Sequence, residues 1–91
     1  MKQIWKFPLQ FPTAIEGQEV IMPQGAKILS ANIQDDTICI WAEVDPDATV
    51  NEVRNILTLA TGQEISTRRQ RKFIDTVMDG PYVWHVSELY D

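Results

Sequence analysis

The side chains best suited to binding an anion are concentrated in one short stretch. Arg68, Arg69, Arg71 and Lys72 lie within five residues and supply four of the eight positive charges of the chain. Arginine binds phosphate or carboxylate through two parallel hydrogen bonds, so such a cluster could clamp an anionic ligand. The alternative is a solvated loop and strand start whose charges offset nearby acids. We expect Arg54 to join the cluster if its strand lies alongside.

Aromatic side chains could stack on a nucleotide base or fill a pocket of a partner protein. Trp41, Tyr82 and Trp84 all occupy predicted strands, where core packing is the usual role. Trp41 is the strongest candidate for a ligand contact, because it lies opposite Ser30 on the mixed face of a predicted hairpin. The predicted ligand-binding residues are therefore Arg54, Arg68, Arg69, Arg71, Lys72 and Trp41.

Catalytic and metal chemistry find little support in the residue types. Nucleophilic catalysis would need Cys39 activated by His85, the single histidine. A lone cysteine beside a tryptophan on a strand is typical of packing. One cysteine and one histidine are too few for a zinc site. The turn aspartates, which lack EF-hand spacing, are Asp35, Asp36, Asp45 and Asp47. We expect no catalytic residue, no metal and no cofactor.

Composition excludes several classes of protein. At 91 residues we expect one domain, residues 1–91, with a modest core. A net charge of −5 argues against binding to duplex nucleic acid and fits a protein that docks on a basic partner. The N-terminal residues lack the apolar core of a signal peptide, and no apolar run is long enough to span a membrane. We therefore expect a cytosolic protein that makes no membrane contact.

Residues 27–34 and 37–44 are predicted to form a β-hairpin that turns at Asp35-Asp36. Asp-Asp is a weaker turn signal than Asn-Gly, so a loop of two or of four residues fits. Three apolar pairs then share one face, namely Ile33 with Ile38, Ala31 with Ile40, and Leu29 with Ala42. A slip of one residue would bring polar side chains to that face, so the register is specified. The opposite face is mixed and contains Ile28, Ser30, Asn32, Cys39, Trp41 and Glu43.

Further short strands are predicted at residues 2–9, 18–22, 73–78 and 82–86. Pro8 makes the first of them an edge strand or ends it, because proline cannot donate to a ladder. A turn at Asp79-Gly80-Pro81 joins the last two, and the tail after residue 86 is expected to fray. The cross-strand pairs expected about that turn are Phe73 with Val86, Val77 with Tyr82, and Ile74 with His85.

Residues 49–60 fit two structures. Thr49 and Glu52 form a capping-box pattern ahead of a helical apolar stripe. Alternation of apolar residues over 53–60 also fits a strand, but local pattern alone favours the helix. The turn at residues 60–62, Ala-Thr-Gly, could present backbone N–H groups to an anion. Five to seven short strands predict a mainly β fold, a small antiparallel meander closed as a barrel or sandwich.

Five segments resemble a domain-of-unknown-function family of small bacteriophage and prophage proteins. They are Lys6-Phe7-Pro8 and residues 22–29, 41–47, 60–65 and 83–86, and their order and spacing match over nearly the whole chain. The resemblance implies a strand at 53–60, running into a Gly-Thr-Gly-like turn where this chain has Ala60. It also implies a viral setting, with the host cytoplasm as the place of action. The family has no assigned activity, so no catalytic residue carries over.

These observations favour a small binding protein over an enzyme. The first hypothesis is a phage protein that counters host defence by sequestering a nucleotide-derived signalling molecule, with arginines on phosphates and aromatics on bases. The second is an acidic inhibitor that binds a host defence protein. A hydrolase using Cys39 and His85 is a third. Exposed edge strands and the mixed Trp41 face favour a homo-oligomer, with a symmetric dimer as the commonest form.

Overall fold

Seven β-strands make up the regular structure of the computed structural model, which describes residues 1–10 and 16–91. The strands are β1 (Gln3–Pro8), β2 (Gln18–Pro23), β3 (Lys27–Gln34), β4 (Thr37–Val44), β5 (Asn51–Ala60), β6 (Gln70–Asp79) and β7 (Tyr82–Tyr90). No helix occurs in the described part of the chain, so none there is long and apolar enough to cross a membrane. The prediction of a mainly β fold is confirmed.

The strands form two antiparallel sheets, ordered β1-β4-β3 and β2-β5-β7-β6. Alternate residues of each sheet point into a shared apolar core, to which β4 contributes Ile38, Ile40, Ala42 and Val44. Strands β3 and β6 lie side by side where the two sheets meet. The described strands do not close into a barrel, and the arrangement is sandwich-like.

The central hairpin has the predicted bounds and turn. Asp35 and Asp36 both have positive φ, 52° and 63°, as a two-residue type I′ turn requires. Ile33 lies opposite Ile38, and Ala31 lies opposite Ile40, as predicted. Local apolar pairing therefore determined this part of the register.

The third predicted pair of the hairpin is wrong. Ile28, and not Leu29, lies opposite Ala42, because a β-bulge between Ile28 and Ser30 inserts one extra residue. Leu29 is consequently 43% exposed. Beyond the bulge, Ser30 lies opposite Trp41 as predicted.

Strand β5 settles the ambiguity at residues 49–60. It runs between β2 and β7, and its residues 56–59 are all buried. A strand at the centre of a covered sheet buries both of its faces, whereas an amphipathic helix would expose one. The helical alternative suggested by Thr49 and Glu52 is wrong, and the strand implied by the family resemblance is confirmed.

The predicted register of β6 and β7 is wrong. Asp79 pairs with Tyr82, which leaves a two-residue turn at Gly80-Pro81 where the predicted pairs assumed four residues. The observed partners shift accordingly, and a second bulge takes Ile74 out of register: Phe73 pairs with Ser87, Thr76 with His85 and Val77 with Trp84. The tail does not fray as predicted, since β7 continues to Tyr90 and buries Leu89.

Strands β5 and β6 run parallel, because both are antiparallel to β7. The chain must therefore return from one end of the sheet to the other between them. We call residues 61–69 the crossover segment. It borders clefts with residues of the sheet face turned away from the core, where Leu57, Leu59 and Leu89 form a second buried cluster.

Candidate functional site

Arg54 is the most firmly held cation among the described residues. It lies on the core-facing side of β5, and its guanidinium makes a two-pronged ion pair with Glu88 on β7, with Nη2 donating to Oε1 at 3.0 Å. Its Nη1 donates to the carbonyl oxygen of Ala26 at 2.7 Å and to Glu52 at 3.2 Å. The hydrogen bond to Glu88 raises the pKa of Arg54, although burial acts in the opposite direction. Arg54 is therefore a permanent charge with a fixed orientation.

A cleft of about 300 Å³ lies beside Arg54, between the two sheets. It opens where β3 and β6 each carry a β-bulge, one at Leu29 and one at Ile74. Bulges interrupt regular pairing and are common next to binding sites. We call it the bulge cleft; its lining residues are Ala26, Lys27, Ile28, Leu29, Arg54, Lys72, Phe73, Ile74 and Glu88.

The lining of the bulge cleft carries excess positive charge. Three cations, Lys27, Arg54 and Lys72, face a single carboxylate, Glu88. Arg54 is committed to Glu88, whereas Lys27 and Lys72 form no ion pair with any described residue. In a chain of net charge −5, this is a local reversal of sign that favours an anionic ligand.

Apolar side chains flank the same cleft. Phe73 is 63% exposed and Leu29 is 43% exposed, although both are large and apolar. Phe73 pairs with Ser87, so strand alternation places its ring on the same face of the sheet as Arg71 and not on the face of Lys72. The bulge cleft can therefore offer charges to a phosphate, with an exposed ring at its border.

The structure divides the predicted basic cluster among three places. Because successive residues of a strand face opposite sides, Lys72 points towards the sandwich interior and Arg71 away from it. Arg68 and Arg69 precede β6 and line a wide groove of about 810 Å³ together with Glu16 and Glu19. Arg69 is paired there with Asp91 at 3.2 Å. Arg54 and Lys72 line the bulge cleft together, although β5 does not lie alongside β6 as the prediction for Arg54 assumed, because β7 separates the two strands.

Trp41 does not join any of these groups. It is half-buried on the outer face of the three-stranded sheet, between Lys6 and Ser30, and lines none of the clefts found among the described residues.

The Cys39–His85 pair that nucleophilic catalysis would need does not form. Cys39 is 2% exposed on β4, and its thiol contacts the carbonyl oxygen of Thr37. His85 lies on β7 in the other sheet, where its Nε2 is 2.7 Å from the hydroxyl of Thr61. The described residues contain no group of three or more potential metal ligands.

Sequence reasoning missed three residues of the bulge cleft, Lys27, Phe73 and Glu88. No local signal identifies them, since each is an ordinary strand residue. Glu88 meets Lys72 and Arg54 only because β7 lies between β5 and β6. The sequence pattern places Glu88 in a frayed tail. It therefore does not identify the residue that lies between Arg54 and Lys72 in the sheet.

Comparison with known proteins identifies the family of the chain but no activity or ligand. No curated protein and no solved structure matches this chain. A single family model, described as a domain of unknown function (DUF7352), matches residues 1–91. The chain therefore belongs to the DUF7352 family, whose model covers its whole length.

Proposed function

We propose that this protein is a non-enzymatic binding protein that sequesters a nucleotide-derived small molecule, with the bulge cleft as its binding site. The observation that supports the proposal best is that Arg54 and Lys72 point into one cleft, which Lys27 and Phe73 border. The cationic residues suit a phosphate, and the aromatic ring suits a base.

The two lysines are the groups available to a ligand phosphate. Arg54 is already paired with Glu88. An entering anion that binds to Lys27 and Lys72 therefore does not have to break that ion pair. A hydrogen bond to a charged group contributes about 1.5–3 kcal/mol. Stacking on Phe73 would add about 1–3 kcal/mol per base. We expect micromolar binding only if the ligand makes both kinds of contact, the hydrogen bonds to the lysines and the stacking on Phe73.

The size of the cleft favours a site completed by a second subunit. Its volume of about 300 Å³ is at the small end of the range for small-molecule sites. Among the described strands, β1 pairs with β4 alone and β2 with β5 alone, so both leave an edge on which another copy could dock. A homo-oligomer is part of the proposal.

The proposed setting is the host cytoplasm during infection by a phage. It rests on the resemblance to small phage and prophage proteins. Removing a nucleotide-derived signal requires only tight binding, which a chain of 91 residues can supply. The ligand class follows from the cleft, and the anti-defence role follows from the resemblance.

A second candidate is an acidic protein that inhibits a host defence protein. Four exposed aspartates in turns of the three-stranded sheet favour it: Asp35, Asp36, Asp45 and Asp47. With a net charge of −5, either end of this sheet could dock on a basic surface. This candidate predicts no bound small molecule.

Native mass spectrometry tests the first proposal. The purified protein is measured alone and with mononucleotides, cyclic oligonucleotides and molecules of the cyclic ADP-ribose type, which reports subunit number and bound mass together. We expect a stoichiometric mass gain with at least one nucleotide. Lys72→Ala should weaken it at least tenfold, whereas Arg71→Ala, one residue away on the opposite face, should leave it unchanged. Equal loss in both variants would overturn the assignment to the bulge cleft. An oligomer that takes up no nucleotide would favour the protein-binding candidate.

A further inference from the structure

A second cleft, of about 260 Å³, lies on the face of the four-stranded sheet that is turned away from the core. Leu59 and Ala60 at the end of β5 border it, and so do the first residues of the crossover segment. Arg71 and His85 reach it from β6 and β7. We call it the turn cleft. It brings together residues from three separate parts of the chain.

The turn at its border is held by hydrogen bonds within the sheet. The backbone N–H of Thr61 donates to the carbonyl oxygen of Val83 at 3.1 Å, and that of Gln63 donates to Ala60 at 3.0 Å. The side-chain oxygen of Gln63 accepts from the N–H of Ala60 at 3.1 Å. Gly62 has a φ of 90°, which a residue with a Cβ rarely adopts. The position of the Thr61 hydroxyl is thus fixed by the backbone.

His85 is held by the same turn. Its Nε2 lies 2.7 Å from the Thr61 hydroxyl oxygen, in a hydrogen bond whose direction depends on the tautomer. The ring is half-buried, between Leu59 on β5 and Thr76 on β6 in the sheet register. Hydroxyl and imidazole therefore present a fixed pair of hydrogen-bonding groups to the turn cleft.

The charge of the turn cleft distinguishes it from the other basic clefts. Arg71 lines it and forms no ion pair with any described residue. No aspartate or glutamate lies among its lining residues, whereas the bulge cleft contains Glu88 and the groove at Arg68 contains Glu16 and Glu19. The turn cleft therefore combines an arginine outside any ion pair of the described residues with a lining free of carboxylates.

We infer that the turn cleft is a second binding site, specific for a small oxyanion of the phosphate type. The planar guanidinium of Arg71 can donate two parallel hydrogen bonds to such an anion. The Thr61 hydroxyl and the His85 ring supply further contacts, and Leu59 and Ile65 limit the size of the group. The cleft has room for a phosphate or a small phosphomonoester.

The inference does not depend on the function proposed for the bulge cleft. Arg71 and Lys72 are neighbours on β6 but face opposite sides of the sheet. Each site can therefore be removed by one substitution without touching the other. Inorganic phosphate is followed at His85, which lines the turn cleft and not the bulge cleft, so the signal reports on the turn cleft.

The chain has a single histidine, so the imidazole signals in an NMR spectrum can be assigned to His85 without ambiguity. The imidazole resonances of His85 are followed at constant pH while inorganic phosphate is added, with sodium chloride at matched ionic strength as control. Ribose 5-phosphate is titrated separately to distinguish a free ion from a phosphomonoester. We expect a saturable shift with phosphate and none with chloride. Tighter binding of ribose 5-phosphate would identify a phosphomonoester site.

Variants locate the site. Arg71→Ala should weaken phosphate binding at least tenfold, and Arg71→Lys should recover part of it, since a lysine keeps the charge but not the two-pronged geometry. Thr61→Val should weaken binding without changing the charge. Lys72→Ala should leave the titration unchanged. A linear shift that chloride reproduces, or equal losses in Arg71→Ala and Lys72→Ala, would overturn the inference.

Discussion

The carboxylate of Asp75 on β6 accepts a hydrogen bond from the backbone N–H of Ala31 on β3, at 3.2 Å. This contact joins the two sheets beside both β-bulges, between β3 and β6, each of which is an edge strand of its sheet. A side chain thus replaces the missing backbone partner.

Replacing Asp75 should destabilise the fold through that single contact. Asp75→Ala leaves the half-buried N–H of Ala31 without its partner, so we expect the free energy of unfolding to fall by about 1–3 kcal/mol. Urea denaturation followed by tryptophan fluorescence measures the change. Asp79→Ala, an exposed change on the same strand, is the control and should stay within about 0.5 kcal/mol. Equal effects would mean that the Asp75 contact does not stabilise the junction of the sheets.

Glu88→Ala should destabilise the protein by leaving Arg54 half-buried and without its main partner. The two side chains are 18% and 16% exposed, so solvent only partly compensates the loss, and we expect about 1.5–3 kcal/mol. Adding Arg54→Met should restore part of the loss, because it removes the uncompensated charge. Glu52→Ala, whose side chain is 38% exposed, should cost less than about 1 kcal/mol. A double variant no more stable than Glu88→Ala alone would contradict this account.

Strand β2 offers a matched pair for the core. Met22 is fully buried at 0% exposure and its neighbour Ile21 is 64% exposed. Met22→Ala should lower the free energy of unfolding by about 2–5 kcal/mol through lost burial and a cavity. Ile21→Ala should change it by no more than about 0.5 kcal/mol. A large loss on changing Ile21 would show instead that a second subunit covers that face.

Two glycines with similar backbone geometry should differ in their tolerance of alanine. Gly17 and Gly62 have φ near +90°, so a side chain at either position costs about 1–2 kcal/mol. A Cβ at Gly17 would also lie 3.0 Å from the carbonyl oxygen of Ile56 and 3.1 Å from Leu89, while one at Gly62 meets nothing within 4 Å. We expect Gly17→Ala to lower the melting temperature more than Gly62→Ala. The reverse order would show that the chain before β2 relaxes freely.

The sequence predicts those parts of the fold that depend on neighbouring residues. Ile33 and Ile38 find each other across a two-residue turn, so the hairpin bounds follow from local pattern. The same reasoning paired Leu29 with Ala42 wrongly, because a β-bulge leaves no trace in the alternation of residue types along the sequence. The pairing of Phe73 failed because turn length, and not apolar pattern, determines the register of β6 and β7.

The candidate site was predictable only in part, for a related reason. Arg68, Arg69, Arg71 and Lys72 are adjacent in sequence, but strand alternation sends Arg71 and Lys72 to opposite faces. Arg54 and Lys72 are distant in sequence. Both line the bulge cleft because their strands flank β7 on either side. Strand alternation places neighbouring residues on opposite faces of the sheet. Which residues become partners across the sheet depends on the strand order, and no short segment of the sequence determines that order.

The order of the strands also bears on how fast the protein folds. Among the described strands, β3–β4 and β6–β7 are hairpins, whereas β1–β4, β2–β5 and β5–β7 join strands that are far apart in the chain. Hairpins form in about 1–10 μs, whereas distant pairings must first overcome the entropy of closing long loops. A chain dominated by distant pairs folds in milliseconds to seconds. The two hairpins should therefore form early, and docking of β5 onto β7, which completes the four-stranded sheet, should limit the rate.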